Sequence, residues 1–131
     1  MPLHTEEYAR MFGERLDEYG TRVYLVNTGW SGGAFGTGSR IKLAYTRAMV
    51  TAALNGSLEN AEYVHDERFN LEIPTSVEGV PSEILIPRNT WADGEAYDRQ
   101  ADALADMFIE NFAAKYPDMP AEIRDAGPAH R

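Results

Sequence analysis

The sequence predicts an α/β fold, and three observations carry that prediction. Three segments have helical periodicity, a short apolar run lies at Val23–Val26, and a glycine-rich loop joins this run to the second helical segment. With 131 residues, 44% apolar and 25% charged, the chain has the length and composition of one globular domain. It has no cysteine, which excludes disulfides and thiolate metal sites. No apolar run approaches the ~20 residues of a membrane span, so no membrane partner and a cytoplasmic location are expected.

The first element is predicted to be a helix. Thr5 is expected to be its N-cap, and Glu6 and Glu7 fall in the first turn, where the helix dipole favours negative charge. Gly20 is expected to end the helix. The apolar residues of the segment recur at helical spacing: Tyr8, Met11, Phe12 and Leu16.

The run Val23–Val26 is predicted to be a strand. It is apolar without alternation, which is typical of a strand buried on both faces of a sheet. A central strand of this kind needs paired neighbours on both sides. Residues 59–90 are expected to supply only short strands and ordered loops, because Pro74, Pro81 and Pro87 interrupt them.

Two further helices are predicted. The segment IKLAYTRAMVTAALNG has helical spacing and ends at Asn55 and Gly56, and a third helix begins after Asp93 and ends before Pro117. The apolar residues of this third helix are expected to lie in the core: Tyr97, Ala101, Leu104, Phe108 and Phe112. Its polar face carries three carboxylates spaced four residues apart: Asp98, Asp102 and Asp106. They form either a solvated face, which is the preferred interpretation, or a cation-binding site.

The charge distribution indicates a small anionic ligand. The net charge of −9 argues against a nucleic-acid partner, since a surface that follows a phosphate backbone needs excess Lys and Arg. No Asp or Glu occurs from Tyr19 through Leu58, so that stretch carries +4 and the rest −13. Chance clustering of solvated cations is the alternative. The cations of the stretch are Arg22, Arg40, Lys42 and Arg47. No metal site is expected, because the histidines have no metal-ligand spacing: His4, His65 and His130.

The glycine-rich loop lies in TGWSGGAFGTGSRIKLAYTR. A strand that runs into glycines and then into a helix directs backbone N–H groups toward one point, as in phosphate-binding loops. The known fingerprints do not fit, because Ser39 stands where a P-loop has its lysine and Ile41 interrupts the GxGxxG pattern. The motifs alone leave a nucleotide-associated loop and a structural turn as alternatives.

Longer strings in the sequence carry a specific resemblance. VNTGW, RIK, TRAM, NGSLE, GVPSEIL and PRNTW occur in this order, and with their surroundings they closely resemble the C-terminal portion of the ATP-dependent phosphoenolpyruvate carboxykinases. The resemblance covers almost the whole chain, from about Leu3 to about Gly127. It implies that residues 1–131 are an incomplete C-terminal segment of that family's mononucleotide-binding domain, a mixed sheet flanked by helices.

The resemblance also implies a function. The family converts oxaloacetate and ATP to phosphoenolpyruvate, ADP and carbon dioxide in gluconeogenesis, with Mg²⁺ and Mn²⁺, and the residues that match its nucleotide site are Arg40, Ile41 and Thr46. Each also has a structural interpretation, as a solvated loop end, a core residue and an exposed helix position. One local difference is Gly38-Ser39-Arg40, where the family usually has Gly-Lys-Arg; the lost charge weakens the expected grip on anions.

The family's catalytic groups have no counterpart in this sequence. Its P-loop lysine, metal ligands and oxaloacetate-binding residues match nothing here, so the chain is expected to be a fragment that is inactive alone. Its expected role is to complete the adenine and ribose side of the ATP site, and its expected partner is the missing N-terminal portion of the same enzyme. The alternatives are a stand-alone nucleotide-binding module and a non-functional remnant with exposed apolar faces.

Overall fold

The computed structural model describes residues 3–129, which combine helices with two small sheets. The sequence prediction of helices and strands together is therefore confirmed in this coarse form. The elements are α1 (Thr5–Tyr19), β1 (Trp30–Ser31), β2 (Ser39–Arg40), α2 (Leu43–Leu54), β3 (Tyr63–Asp66), β4 (Leu71–Pro74), α3 (Gly94–Lys115) and α4 (Ala121–Arg124), with 3₁₀ turns at Ser57–Asn60, Ser82–Ile84 and Pro87–Thr90. No helix in this part of the chain is long and apolar enough to cross a bilayer.

Helix α1 forms where its periodicity predicts, with one correction at its start. His4 is the N-cap and Thr5 the first helical residue, and the His4 carbonyl accepts a hydrogen bond from the Glu7 N–H at 3.0 Å. Gly20 ends the helix at φ 59°, a left-handed conformation that glycine adopts at little cost. No residue of α1 is buried, and its apolar face, with Phe12 58% exposed, is open to solvent.

The main core lies where α2 meets the turns that follow it. Ala52, Leu58, Val77 and Val80 are buried together, and Tyr24 and Met49 are among the half-buried residues that pack on them. Leu58 comes from the 3₁₀ turn after α2, which Gly56 introduces at φ 82°. The core is small because most of its buried side chains are short.

Strands β3 and β4 form an antiparallel hairpin, which confirms the short strands predicted in residues 59–90. Tyr63 pairs with Pro74 and Asp66 with Leu71. The Asp66 carboxylate accepts hydrogen bonds from the Arg68 and Phe69 N–H groups at 2.9 and 3.0 Å, which fixes the turn.

Helix α3 begins and ends as predicted. The Asp93 carboxylate accepts hydrogen bonds from the Glu95 and Ala96 N–H groups, and the helix ends at Lys115, before Pro117. Its core contribution differs from the prediction, because only Ala101 and Ala105 are buried whereas Leu104 and Phe108 are exposed. The apolar stripe of α3 therefore faces little of the described chain.

The predicted strand at Val23–Val26 is wrong. Residues 21–28 have no regular secondary structure, and Val23 and Leu25 are 57% and 78% exposed. A strand buried on both faces needs neighbours on both edges. In residues 3–129 the strands pair only as two antiparallel two-stranded sheets, β1 with β2 and β3 with β4, so the expected mixed sheet is not formed either.

The chain exposes more surface than a protein of its size normally does. Its accessible surface is 9620 Å². A folded monomer of this mass, 14.6 kDa, exposes about 6,900 Å². Large apolar side chains contribute to the exposed surface: Phe35, Leu54 and Leu25 are 85%, 83% and 78% exposed. Such an open apolar surface is typical of a contact surface for another polypeptide.

The glycine-rich loop closes the hairpin of β1 and β2. Ser31 pairs with Ser39, and the Ala34 carbonyl accepts hydrogen bonds from the Thr37 and Gly38 N–H groups at 3.0 and 2.9 Å. A Cβ atom at Gly38 would lie 2.4 Å from the Gly33 carbonyl oxygen, closer than any real contact. Glycine at this position is therefore required by the hairpin itself.

We expect Gly38→Ala to lower the free energy of unfolding by about 1–3 kcal/mol, because the added methyl group forces the hairpin backbone apart. Urea unfolding followed by tryptophan fluorescence measures this change, since Trp30 lies in the hairpin. The control is Gly13→Ala in α1, where nothing lies within 4 Å of the new methyl group. This control should raise helix stability by up to about 1 kcal/mol. Equal urea midpoints for Gly38→Ala and the parent chain would contradict the packing of the loop.

A half-buried arginine connects the β3–β4 hairpin to α3. The Arg68 Nε donates to Asp102 Oδ1 at 2.7 Å, its Nη2 lies 3.8 Å from Asp98 Oδ1, and its side chain is only 12% exposed. Arg88 donates to both oxygens of Asp98 at 3.0 Å. Asp98 and Asp102 of the carboxylate ladder therefore bind arginines of this chain while their side chains stay 36% and 49% exposed, so this solvated face also makes ion pairs within the chain.

We expect Arg68→Ala to destabilise the chain by about 1–2 kcal/mol, because it removes a charge-assisted hydrogen bond and side-chain packing together. Arg99→Ala is the matched control on α3, since Arg99 is 70% exposed and 3.9 Å from Asp93. Its effect should stay within about 0.5 kcal/mol. Urea midpoints that fall equally for the two variants would show that the Arg68 contact has no special weight.

Candidate nucleotide-binding surface

The three residues that match the family's nucleotide site lie at the junction of the glycine-rich hairpin and α2. Arg40 is the last residue of β2, Ile41 follows it directly, and Thr46 lies in the first half of α2. The Ile41 N–H donates to the Gly29 carbonyl at 2.9 Å, so the junction is held to the start of the hairpin. This hydrogen bond fixes the backbone of the junction.

Arg40 is exposed at the surface of the hairpin. It pairs with Trp30 across the two strands, and Trp30 packs edge to face on Phe35, with 5.2 Å between ring centroids. Arg40 has no ion pair with any residue of the described chain. An exposed guanidinium without an internal carboxylate is available to an anion or to the face of a base.

Ile41 is less exposed than Arg40. It is half-buried and lines a large open cavity of about 1200 Å³, together with Met49 and Ala53 of α2. Arg40 and Thr46 do not line this cavity. The structure therefore brings the three residues to one turn but not into one pocket.

Thr46 is half-buried near the amino end of α2. Its N–H donates to the Lys42 carbonyl at 3.2 Å, and Lys42 is the N-cap residue. The first turn of α2 contains no acidic residue, and no side chain caps it. The partial positive charge of the helix end is therefore not neutralised within the helix.

Positive charge at the junction is unpaired in this part of the chain. Arg22 lies 3.8 Å from Glu59, whereas Arg40, Lys42 and Arg47 form no ion pair with residues 3–129. The Lys42 ammonium lies 5.7 Å from the centre of the Tyr45 ring. The positive stretch identified in the sequence is thus a surface of available cations around the junction.

The glycine-rich loop does not lead directly into a helix. It closes a hairpin, and the Thr37 and Gly38 N–H groups are bound to the Ala34 carbonyl. Helix α2 begins at Leu43, after the hairpin has ended. Of the two interpretations left open by the motifs, the structural turn accounts for these two amides.

The large cavity is a feature that the sequence did not predict. Its walls are mostly apolar and include the unpaired residues 22–27, the β4 residues 71–74 and, from α3, Ala101 and Leu104. Burial raises the pKa of Tyr97, another lining residue, so its phenol stays neutral at physiological pH. Cavities that bind small molecules span ≈ 300–1,000 Å³, so this one is larger than a nucleotide requires. The apolar run Val23–Val26, which lines this cavity, is the sequence signal that could have indicated an apolar surface here.

No group of three or more His, Asp or Glu residues within residues 3–129 is arranged to hold a metal ion. His65 is bound within the β3–β4 hairpin, where its Nδ1 lies 2.6 Å from Glu72 Oε1. His130 lies outside the described residues. On α3, Asp102 forms an ion pair with Arg68 and Asp98 with Arg88.

Comparisons with known proteins agree with the strings in the sequence. A family model described as phosphoenolpyruvate carboxykinase matches residues 1–83. A relative from Fusobacterium nucleatum, named phosphoenolpyruvate carboxykinase (ATP), is 58% identical over 130 residues, which cover 99% of this chain and 25% of the relative. Proteins of the same name from Brevibacillus brevis and Thermus thermophilus are 59% and 51% identical over 128 residues, covering 98% of this chain and 24% of each relative.

The match extends along almost the whole chain but not along the relatives. The chain spans about a quarter of the length of the curated relatives it matches. The recognition made from the sequence strings is confirmed by these matches. By the family model and by identity above half over nearly its full length, the chain belongs to the ATP-dependent phosphoenolpyruvate carboxykinase family.

Proposed function

We propose that this chain is part of an ATP-dependent phosphoenolpyruvate carboxykinase and contributes the adenine and ribose side of its ATP site. The reaction is oxaloacetate plus ATP to phosphoenolpyruvate, ADP and carbon dioxide. The observation that carries the proposal is 58% identity over 99% of the chain to a protein named for this activity. The geometry of the junction between the hairpin and α2 supports the assignment of the residues.

Arg40 is proposed to contact the nucleotide through its guanidinium. It is exposed and has no ion pair with the described residues, so an incoming anion does not have to displace an internal carboxylate. A guanidinium also stacks on the face of a purine. The serine at position 39, in place of the family's usual lysine, leaves Arg40 as the cation closest in sequence to the loop.

Ile41 and Thr46 are proposed to complete the contact on the two sides of the turn. Ile41 offers a half-buried apolar surface suited to a base, and its backbone is fixed by the hydrogen bond to the Gly29 carbonyl. Thr46 offers a hydroxyl near the uncapped amino end of α2. Because Ile41 faces the cavity and Arg40 does not, the nucleotide would lie at the rim of the cavity rather than inside it.

The remaining parts of the site are proposed to lie in other segments of the enzyme. Phosphoryl transfer depends on positioning and charge neutralisation by a phosphate loop and metal ions. The described residues offer no cluster for Mg²⁺ or Mn²⁺, so these ions do not fit this chain and no step is assigned to them here. The chain's part is to hold the nucleoside end of ATP in place.

The isolated 131-residue chain is expected to have no carboxykinase activity, because none of its described residues forms a metal cluster or a lysine-bearing phosphate loop. A coupled assay of oxaloacetate-dependent ATP consumption measures this directly. Turnover by the purified chain above the rate of a protein-free control would refute the proposed division of the site.

The role of Arg40 can be tested in a hybrid enzyme, in which this chain replaces the matching 130-residue segment of the Fusobacterium nucleatum relative. We expect Arg40→Ala to raise the KM for ATP about tenfold, the loss of one charge-assisted contact, and to leave the KM for oxaloacetate unchanged. Arg47→Ala is the matched control, since Arg47 is also an exposed cation of the acid-free stretch without an ion pair in the described chain. Steady-state kinetics with each substrate varied gives both constants.

Two results would contradict the assignment. Equal changes in the KM for ATP in the Arg40 and Arg47 variants would show a general effect of charge rather than a contact. A change confined to the KM for oxaloacetate would place Arg40 at the other substrate.

A further inference from the structure

The dipeptide Asn55-Gly56 at the end of α2 contains a side chain and a backbone group that can react with each other. When glycine follows asparagine, the glycine nitrogen can attack the asparagine Cγ, because no Cβ atom hinders its approach. Gly56 has φ 82°, a left-handed conformation that favours glycine, so the turn after α2 itself requires this residue type. Asn55 is the only asparagine of the sequence that precedes a glycine. The fold therefore places a chemically reactive dipeptide where α2 ends.

The reaction is a deamidation, and it needs only water in addition to the chain. The Gly56 nitrogen bonds to Asn55 Cγ and loses its proton, and Asn55 Nδ2 leaves as ammonia, so that a succinimide ring closes. Water then adds to either ring carbonyl carbon and breaks its bond to the Gly56 nitrogen, which gives aspartate or isoaspartate at position 55. Asn55 is exposed, so water reaches the ring.

In the folded chain the attacking nitrogen is free but the side chain that it would attack is held. The Gly56 N–H donates to no backbone carbonyl of residues 3–129, whereas the Asn55 N–H donates to the Thr51 carbonyl at 2.9 Å. The Asn55 Oδ1 accepts from the Ser57 N–H at 2.9 Å and from the Ser57 hydroxyl at 2.7 Å. The carboxamide is thus fixed against the turn, and ring closure has to come from rotation of the backbone.

The main core opposes this rotation. At the Asn55 ψ of 0°, the Gly56 nitrogen lies beside the Asn55 backbone nitrogen rather than beside the side chain. Ring closure therefore requires ψ to change, which swings the residues that follow. Leu58 is one of them, and it is 7% exposed within the core formed with Ala52, Val77 and Val80. The rotation therefore removes Leu58 from its packing contacts.

We propose that Asn55-Gly56 is a deamidation site that the main core protects: the packed core prevents the reaction, and each opening around Leu58 allows the succinimide to form. The product then destabilises the closed core. Aspartate at position 55 adds a negative charge at the carboxyl end of α2, where the helix dipole opposes it. Isoaspartate also lengthens the backbone of the turn by one carbon atom. The inference is independent of the proposed nucleotide contacts.

The first test compares deamidation at Asn55 in the folded 131-residue chain and in the same chain unfolded in urea, at one pH and temperature. Peptide mapping by mass spectrometry measures the reaction as the mass increase from amide to carboxyl group. We expect the folded chain to react at least about 50-fold more slowly, because its rate is scaled by the fraction of molecules with an open core. Asn60, in the same turn but followed by Ala61, is the internal control and should remain intact.

Two results of this comparison would overturn the proposal. Equal rates in the folded and unfolded chain would show that the core gives no protection. No reaction at Asn55 in the unfolded chain would show that the dipeptide is not a deamidation site.

Val77→Ala tests whether the core provides the protection. Val77 is 8% exposed in the same core as Leu58 but distant from Asn55 in sequence, so it acts on the dipeptide through the core. We expect deamidation of the folded variant to be at least about fivefold faster than in the parent chain, because a smaller core side chain makes opening more frequent. Phe35→Ala is the control, since Phe35 is 85% exposed in the glycine-rich loop. Its rate should stay within about twofold of the parent rate.

Equal rates in the Val77 and Phe35 variants would overturn the protective role of the core. If Val77→Ala does not fold, the parent chain in urea below its unfolding midpoint takes its place. The deamidation rate should then rise with urea in proportion to hydrogen exchange of the Leu58 amide, since both report the open core. A deamidation rate that does not follow this exchange would also overturn the proposal.

Asn55→Asp reproduces one product of the reaction. We expect it to lower the urea midpoint of the chain, because the new carboxylate lies at the carboxyl end of α2. Asn60→Asp is the matched control, since it adds the same charge at an exposed position of the 3₁₀ turn rather than at the helix end, and its midpoint should change less. An unchanged midpoint for Asn55→Asp, or equal shifts for the two variants, would overturn the proposed effect of deamidation on the core.

Discussion

The constraint on which the rest of this structure depends is that the chain buries too little apolar surface by itself. Its main core consists of Ala52, Leu58, Val77 and Val80, which are small or medium-sized side chains. The larger apolar residues of α1, of residues 22–28 and of α3 are mostly exposed, Phe12, Leu25 and Phe108 among them. Burial of apolar surface is the dominant favourable term in folding, so these faces gain most of their stabilisation only when another polypeptide covers them.

The local structure could be predicted from the sequence because its signals are local. Gly20 ends α1 and Asp93 caps α3 as expected, and both depend on residues within one turn of the helix. The strand at Val23–Val26 failed as a prediction for the opposite reason, since a strand requires hydrogen-bond partners that are distant in sequence. The contact between Arg68 and Asp102 joins residues 34 positions apart, and no local spacing indicates it.

The candidate site also combines features that the sequence predicts with features that only the folded structure shows. The cations around the junction of hairpin and α2 are visible in the sequence as a stretch without acidic residues, and the structure shows that Arg40, Lys42 and Arg47 have no ion pair among the described residues. That Ile41 lines the cavity and Arg40 does not is visible only in the folded structure. The glycine-rich loop resembles a phosphate loop in sequence, but hairpin geometry already requires glycine at position 38, where a Cβ atom would collide with the Gly33 carbonyl.

The most direct test of the account is a crystal structure of the hybrid enzyme with a non-hydrolysable ATP analogue bound. We expect the purine to lie within about 4 Å of the Ile41 side chain, the Arg40 guanidinium to contact the nucleotide, and residues 22–28 to be covered by the rest of the enzyme. A base bound elsewhere, with the turn at Arg40 and Ile41 facing solvent, would contradict it.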